Sequence, residues 1–261
     1  MDLGIRNKTA LVLGAGGGLG SAIAQALAAE GANLALADIS MDALKSTQST
    51  VETMGVRVLS LVWDLADIDS IDANISRIEA EIGNVDILIN NTGGPPPTQA
   101  SGQDTSTWET HFHSMVVSVI KITDRVLPGM RERRWGRIIT STSSGVIAPI
   151  PNLGISNALR MSLVGWSKTL AREVGSAGIT SNIVLPGRIA TARIRFLDEQ
   201  KAKRENRSVE SVSLDSTSSI PLGRYGEPAE YGKVVTFLSS QAASYVTGSV
   251  IRVDGGLISS V

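Results

Sequence analysis

Seven short apolar runs, many of them rich in β-branched residues, recur along the chain, and longer amphipathic stretches separate most of them. The runs span residues 9–13, 33–37, 56–62, 85–89, 137–140, 180–184 and 249–253. Helical periodicity lies between them at residues 19–30, 41–54, 68–82 and 156–173. Strands that alternate with helices form a parallel sheet with right-handed crossovers. The pattern predicts an α/β fold, a doubly wound seven-stranded parallel sheet in a three-layer α/β/α sandwich.

Composition predicts a single domain over residues 1–261, because 261 residues with 42% hydrophobic content can bury one large core. The 24 basic and 25 acidic residues give a net charge of -1, so we expect no nucleic-acid or membrane partner, and a small-molecule substrate instead. The absence of cysteine excludes disulfides, a thiolate nucleophile and thiolate metal ligands, and we expect no metal ion. Residues 1–10 contain no long apolar segment, which predicts a cytoplasmic protein.

Residues 192–220 form a segment that is rich in charged residues and serine. Such a run is typical of a solvated helix pair. Segments that leave the carboxyl ends of strands also border the ligand crevice in open α/β sheets, so a mobile substrate lid is the second interpretation.

A glycine-rich segment, Gly14-Ala-Gly-Gly-Gly-Leu-Gly20, follows the first predicted strand and leads into a helix. Glycines let the backbone turn tightly and approach a pyrophosphate, which then meets the positive end of the helix. Tight turns alone can also require glycine. The position between strand and helix favours a dinucleotide site that includes Gly14, Gly16, Gly18, Leu19 and Gly20.

Asp38 closes the second predicted strand, where a carboxylate can accept hydrogen bonds from the two hydroxyls of an adenosine ribose. The same charge repels a 2'-phosphate, and no arginine or lysine occupies positions 15, 16, 39 or 40. These residues predict NAD rather than NADP as cofactor. The alternative role for Asp38 is to cap the following helix.

These features, together with others along the chain, resemble the short-chain dehydrogenase/reductase family. The motifs that carry the resemblance are Gly14-x-x-x-Gly18-x-Gly20, Asp38, Asp64-Leu65, Asn90-Asn91-Thr92-Gly93, Gly136-Arg-Ile-Ile, Pro186-Gly187 and Val253-Asp254-Gly255-Gly256. The resemblance implies a Rossmann-type fold, nicotinamide binding and hydride transfer between the cofactor and a carbonyl or alcohol. It also implies a homo-oligomer, a dimer or tetramer built partly from the fourth and fifth helices.

The resemblance further implies which residues contact the cofactor. Asp64 and Leu65 would lie at the adenine, and Asn91, Thr92 and Gly93 near the adenosine ribose. Pro186, Gly187, Ile189 and Thr191 would surround the carboxamide and phosphates. Asn-Gly and Pro-Gly sequences after strands are also ordinary turns, which is the structural alternative for these residues.

The chain departs from the family at the catalytic residues. The family's reductases use a tyrosine as acid/base, a lysine four residues later, a serine that orients the carbonyl and a supporting asparagine. Alignment on residues 156–160 places Leu153 at the tyrosine and Asn157 at the lysine, and alignment on Trp108 places Met115 at the asparagine. From Ser143 to Leu153 the chain is then about three residues shorter than the family's usual interval.

Three residues are candidates for the chemistry that remains. Ser143 matches the family's serine, with Thr142 and Ser144 as close competitors. Asn157 can replace the lysine at the nicotinamide ribose, which leaves water to deliver protons. Arg160 can stabilise an alkoxide or bind a carboxylate, although a guanidinium is a poor proton donor and an exposed or subunit-interface arginine is the ordinary interpretation.

Other residues near the expected cleft have weaker claims. His111 fits a surface histidine, and His113 is a candidate proton relay. We expect no catalytic role for the three tyrosines, at positions 225, 231 and 245. The segment Gly93-Gly-Pro-Pro-Pro-Thr98 can shape a substrate pocket or, as an alternative, present a short polyproline ligand.

Two hypotheses for function follow. The first is an NAD-dependent short-chain oxidoreductase with an atypical active site, acting on a carbonyl or secondary alcohol, with a 3-oxoacyl-type compound among the candidate substrates. The second is a nicotinamide-binding sensor or oligomeric partner protein that has lost hydride transfer. Both predict NAD binding, and they differ in turnover.

Overall fold

The seven predicted runs form one all-parallel sheet in the computed structural model, which describes residues 2–260. The strands are β1 Thr9–Leu13, β2 Asn33–Asp38, β3 Val58–Val62, β4 Ile87–Asn90, β5 Gly136–Ser141, β6 Ile179–Pro186 and β7 Val250–Val253. Their spatial order is β3-β2-β1-β4-β5-β6-β7. The chain therefore starts at the centre, builds toward β3, returns to β4 beside β1 and continues to β7. This order confirms the predicted doubly wound α/β fold.

Helices connect the strands and cover the sheet. They are α1 Gly18–Ala29, α2 Met41–Glu52, α3 Ile71–Glu81, α4 Thr105–Phe112, α5 Ser118–Arg133, α6 Gly154–Val174, α7 Ala192–Glu205, α8 Val209–Ser218 and α9 Pro228–Leu238. A π-helical segment, His113–Val117, joins α4 to α5. Among residues 2–260, no helix is long and apolar enough to cross a membrane.

Both faces of the sheet are buried, which explains why its strands are continuous apolar runs. Along β1, Ala10 and Val12 pack into one core with residues of α1 and α9, whereas Leu11 and Leu13 pack into a second core with residues of α3 and α5. Successive side chains of a strand point to opposite faces, so a strand between two helical layers needs apolar residues at every position.

The strand order reverses between β1 and β4, and this reversal positions the site. Connections from β1 and β4 leave the sheet in opposite directions, which opens a crevice at the carboxyl ends of the strands. The loops after β1, β2, β4, β5 and β6 all border the same cleft.

The segment 192–220 forms two helices, α7 and α8, as the helix-pair interpretation predicts. The start of α7, at Ala192, Arg193 and Ile194, also lines the cleft. The segment therefore has the position that the lid interpretation requires, and movement of this segment remains a prediction.

Candidate active site

The loop between β1 and α1 presents backbone with no intervening side chains. Gly14 has a φ of +61°, and a Cβ there would lie 2.6 Å from the Asn91 carbonyl oxygen. A Cβ on Gly20 would overlap the carbonyl oxygen of Gly14. Helix α1 begins at Gly18, and no side chain bonds to its first N–H groups, since the N-cap is Gly17. These free donors at the positive end of the helix dipole suit a pyrophosphate.

Asp38 ties this loop to the end of β2. Its Oδ2 atom accepts the Gly16 N–H at 3.0 Å, and its Oδ1 atom accepts the Ser40 N–H at 3.1 Å. The N-cap of α2 is Ser40, whose hydroxyl accepts the Ala43 N–H. The alternative that Asp38 caps this helix is therefore wrong. A carboxylate has about four lone-pair sites, so Asp38 keeps acceptors for ribose hydroxyls.

The cleft has a volume of about 900 Å³ and extends from the glycine loop to the start of α6. Of the residues predicted to bind the cofactor, all but Gly16 line it: Gly14, Gly18, Leu19, Gly20, Asp38, Asp64, Leu65, Asn91, Thr92, Gly93, Pro186, Gly187, Ile189 and Thr191. Gly16 lies behind the loop surface, where its N–H bonds to Asp38 and an added Cβ would lie 2.6 Å from the Cβ of Ala43. One cavity thus brings together residues that are far apart in sequence.

The segment after β6 closes over the glycine loop. A Cβ on Gly18 would lie 2.8 Å from Thr191 Cγ2. The Thr191 hydroxyl caps α7 by accepting the Ile194 N–H at 3.4 Å. Gly187 allows the close approach of Asp254, whose Cα would lie 2.5 Å from an added Cβ. These contacts bring the segment after β6 against the glycine loop and against the end of β7.

Ser143 is the accessible hydroxyl of the three candidates that follow β5. All three line the cleft, but Thr142 and Ser144 are buried, whereas Ser143 is half-buried. Its Oγ accepts the Gly145 N–H at 3.1 Å, which fixes the side chain and leaves its own proton free to donate. This geometry favours Ser143 over its two neighbours as the donor to a substrate oxygen.

Asn157 lies outside the cleft. Its Nδ2 donates to the Ile150 carbonyl at 2.9 Å, and its Oδ1 accepts the Ile150 N–H at 3.4 Å. A Cβ on Gly145 would also overlap its Oδ1 atom. Asn157 therefore braces the loop before α6, and the interpretation of Asn157 as a replacement for the lysine at the ribose does not fit this placement.

Ser156 and Arg160 face the cleft from α6 and are four residues apart, the separation that the resemblance gives to the tyrosine and lysine. Four residues along a helix return a side chain to the same face. The alignment that places Leu153 and Asn157 at these positions is therefore shifted by three residues. Counting to Ser156 instead also restores the family's usual interval after Ser143.

Arg160 is 8% exposed, so the interpretation of this residue as an exposed arginine is wrong. Its Nη1 donates to the Ser141 carbonyl at 3.3 Å, and its Nη2 donates to the carbonyls of Thr92 and Gly93 at 3.2 and 3.0 Å. Burial, reinforced by the nearby charge of Arg193, lowers the pKa of Arg160 to about 10. The guanidinium remains charged at neutral pH and links the ends of β4 and β5.

The two histidines lie in the opposite places to those predicted. His111 is half-buried and lines the cleft, together with Ser114 and Met115. His113 is exposed and does not line the cleft, so its assignment as a proton relay does not fit its position. The π-helical segment begins at His113, and such segments often occur at functional sites because they alter the direction of side chains.

The proline segment after β4 is attached to the start of α6. The Thr98 N–H donates to the Asn152 carbonyl, and the Gly154 N–H donates to the Thr98 carbonyl, both at 2.9 Å. Arg193 also donates to the Pro95 carbonyl at 2.7 Å. These bonds hold the segment against the protein at the cleft, which fits the interpretation as a pocket wall better than that of a polyproline ligand.

None of the three tyrosines lines the cleft. Tyr231 is fully buried, its hydroxyl lies 2.7 Å from Ser141 Oγ, and burial raises its pKa. Tyr225 donates to Asp198 at 2.7 Å, and Tyr245 is fully exposed. This placement agrees with the expectation that no tyrosine is catalytic.

Ser156, His111 and Arg193 line the cleft although the sequence did not assign them to it. Ser156 had a signal, since the interval from Ser143 points to it. His111 and Arg193 had no such signal in the sequence. The direction in which each side chain points depends on local helix geometry, which the π-helical segment sets near His111 and the N-cap of α7 sets near Arg193.

The chain is similar to known proteins over nearly its whole length. A family model described as enoyl-(acyl carrier protein) reductase matches residues 14–258. Nodulation protein G of Azospirillum brasilense is 35% identical over 251 residues, which cover 96% of this chain and 98% of that protein. The 3-oxoacyl-[acyl-carrier-protein] reductase of Salmonella typhimurium is 36% identical over 258 residues, which cover 98% of this chain and 99% of that enzyme.

A solved structure agrees equally well. L-sorbose reductase from Gluconobacter frateurii, in complex with NADPH and L-sorbose, superposes with a TM-score of 0.94 at 31% sequence identity. The match covers 100% of both chains. The similarity therefore includes the elements that form both ends of the cleft.

Proposed function

The chain belongs to the short-chain dehydrogenase/reductase family, and from that premise we propose that it is an NAD-dependent oxidoreductase acting on a carbonyl or secondary alcohol. Its similarity to reductases makes it a pyridine-nucleotide-dependent oxidoreductase in the broad sense. The finer parts that we propose are that the cofactor is NAD and that the reaction proceeds without a catalytic tyrosine. The observation that carries it is that one cleft joins the glycine loop to Ser143, Ser156 and Arg160.

The residues present fit a dinucleotide. Added Cβ atoms at Gly14 and Gly20 would meet protein backbone, so these glycines allow the tight turn before α1, and the first N–H groups of α1 have no side-chain partner for a pyrophosphate to displace. Asp38 lies one strand away from the loop, as an adenosine ribose requires. When bound, the cofactor supplies or accepts the hydride.

The preference for NAD rests on charge at the adenosine end. Asp38 and Asp64 line this part of the cleft after β2 and β3. The cleft arginines follow β5 and β6 instead, and two strands, β1 and β4, separate β2 from β5. A 2'-phosphate would therefore meet carboxylates without a nearby cation. L-Sorbose reductase was solved with NADPH, so the cofactor that we propose for this chain differs from the one bound in that structure.

At the reacting end, the chain supplies hydrogen-bond donors and a positive charge. Ser143 donates to the substrate oxygen and orients it. The Arg160 guanidinium stabilises negative charge that develops on that oxygen, which costs little reorganisation because three carbonyls already hold the side chain. Ser156 is too short to reproduce the reach of a tyrosine, so water occupies the space between it and the substrate.

Protons reach the substrate from this water. The titratable residues that line the cleft, within the described part of the chain, are Asp38, Asp64, His111, Arg160, Arg188 and Arg193. Histidine is the residue type among these whose ring nitrogens can both donate and accept a proton. We therefore assign His111 as the group that exchanges protons with the cleft water. Lower turnover in His111→Gln with unchanged NADH affinity is the expected sign.

The experiment that tests the function compares wild type with Ser156→Tyr/Arg160→Lys in NADH oxidation across ketones and 3-oxoacyl thioesters. Turnover by the wild type supports the proposal, and loss of that turnover in Ser143→Ala assigns it to the cleft. The rival sensor function instead predicts tight NADH binding by the wild type without turnover. We also expect a homo-oligomer, a dimer or tetramer, which light scattering measures.

A further inference from the structure

Arg160 and Arg193 converge on the loop after β4. A Cβ built on Gly94 would lie 3.5 Å from Arg160 Nη2 and 3.6 Å from Arg193 Nη2, so one small group can contact both guanidinium ends. Gly94 itself lines the cleft, and so do both arginines. The missing side chain of Gly94 leaves this space to a ligand.

Neither arginine has a carboxylate partner among residues 2–260. Arg160 bonds to three backbone carbonyls, and Arg193 bonds to the Pro95 carbonyl at 2.7 Å. The adjacent Arg188 differs, because Asp198 accepts from it at 2.8 Å. The cleft therefore contains one arginine that is paired with a carboxylate and two, Arg160 and Arg193, that bond to backbone carbonyls instead. The guanidinium charges also repel one another, and burial lowers the pKa of both.

Arg160 is buried and Arg193 is half-buried, and like charges held partly away from water are costly unless an anion joins them. A further buried arginine, Arg137, also bonds to carbonyls, but it stacks on Trp135 with its guanidinium 4.5 Å from the ring centre and does not line the cleft. Arg193 also packs on Phe196, whose ring centre lies 5.7 Å from the guanidinium carbon, but Phe196 does not line the cleft. Arg160 keeps N–H groups on Nη1 and Nε beyond its three carbonyl bonds, and Arg193 keeps donors beyond its bond to Pro95. These remaining donors point to an anion that arrives with a ligand.

We propose that Arg160 and Arg193 together bind the carboxylate of an oxo-acid or hydroxy-acid substrate at Gly94. The inference rests on the proposed function and specifies its substrate class. Arg160 bonds to the carbonyl of Ser141, two residues before Ser143, so the anion site and the carbonyl-orienting serine share one wall of the cleft. A short acid can therefore contact both. Guanidinium groups suit carboxylates because they offer paired, parallel N–H donors.

The cofactor pyrophosphate is the other anion in the cleft. It would lie at the N-terminus of α1, which faces Thr191, whereas the arginines meet at Gly94 after β4. The position at Gly94 favours the substrate. The experiment includes NAD⁺ affinity so that the two sources are distinguished.

The first readout is binding without turnover. Calorimetric titration into the protein with NAD⁺ present compares acetoacetate with its uncharged methyl ester, methyl acetoacetate. NAD⁺ is used because it cannot reduce either compound, so binding is measured without turnover. Charged hydrogen bonds of this kind change affinity by about 10- to 100-fold. We expect acetoacetate to bind at least about tenfold more tightly, and Arg193→Gln to remove that difference.

Arg195→Gln is the matched control, because it makes the same change in charge on the same helix. Arg195 is 82% exposed at its side chain and pairs with Glu199, away from the cleft. It should keep the wild-type preference for the acid. Arg193→Lys keeps a positive charge but loses the paired donors, so it should fall between wild type and Arg193→Gln. This variant keeps the test valid if Arg193→Gln fails to fold.

The second readout is turnover with NADH on pyruvate, acetoacetate and levulinate beside their methyl esters. A preference for acids that disappears in Arg193→Gln supports the proposal. Equal affinity for acetoacetate and its ester overturns it, and so does an Arg193→Gln variant that loses NAD⁺ affinity but keeps the preference for the acid. Binding of acetoacetate without any turnover would instead contradict the proposed function while the anion site stands.

Discussion

Asp38 should decide between NAD and NADP, and Asp38→Asn tests this with little change in shape. The carboxylate accepts the N–H groups of Gly16 and Ser40 at 3.0 and 3.1 Å, and asparagine keeps one oxygen acceptor for the glycine loop. The substitution therefore removes the charge and retains much of the structural role.

The expected magnitude follows from Coulomb's law. Two unit charges 4 Å apart interact by about 1 kcal/mol in water and about 4 kcal/mol near a protein surface, and a phosphate carries between one and two charges. Asp38 is half-buried, so salt and solvent reduce the larger figure. A net change of about 1.4 to 2.8 kcal/mol corresponds to about 10- to 100-fold. We expect the ratio of kcat/KM for NADH over NADPH to fall by that factor in Asp38→Asn.

The assay is steady-state oxidation of both cofactors at fixed substrate, with Kd values from fluorescence titration as a second measure. Asp42→Asn is the matched control, since Asp42 lies in the first turn of α2, is 96% exposed at its side chain and does not line the cleft. It should leave the ratio unchanged. A wild type that prefers NADPH, or an Asp38→Asn variant with the wild-type ratio, would show that the charge of Asp38 does not set a preference for NADH.

Three further substitutions probe α6 and its surroundings. Ser156→Tyr/Arg160→Lys restores a general acid, which typically contributes about 10² to 10⁴ in rate, so NADH oxidation should rise, and an unchanged rate would argue against the shifted alignment. Asn157→Ala frees the loop before α6 and should raise KM more than it lowers kcat; a kcat effect alone would place Asn157 in the chemistry. Tyr231→Phe removes the hydroxyl that lies 2.7 Å from Ser141 Oγ and 3.3 Å from the Val184 carbonyl oxygen, and it should lower the free energy of unfolding in urea by about 1 to 3 kcal/mol, whereas a change below about 0.5 kcal/mol would show that these bonds contribute little.

The fold was predictable because its signals are local. Each strand lies between two helical layers, so its residues are apolar at every position and stand out from the amphipathic helices. The glycine loop and Asp38 were predictable for a similar reason. Backbone crowding at Gly14 and Gly20 admits no other residue, and the end of β2 fixes Asp38 beside the loop.

The catalytic end was less predictable because its residues depend on helical phase. No tyrosine marks the register of α6, so the alignment was shifted by three residues. It placed Asn157, which contacts the preceding loop, at the position that Arg160 occupies in the cleft. The convergence of Arg160 with Arg193 joins residues from two distant segments at Gly94, a contact that no pattern along the chain encodes.

The most direct test of the account is NADH oxidation by the wild-type protein, measured beside Ser143→Ala on a panel of ketones, oxo acids and 3-oxoacyl thioesters. The account predicts turnover by the wild type, reduced in Ser143→Ala by about 10²-fold, the ordinary effect of removing a hydrogen-bond donor to a developing oxyanion. A wild type that binds NADH but oxidises none of it, beside an active Ser156→Tyr/Arg160→Lys variant, would contradict it.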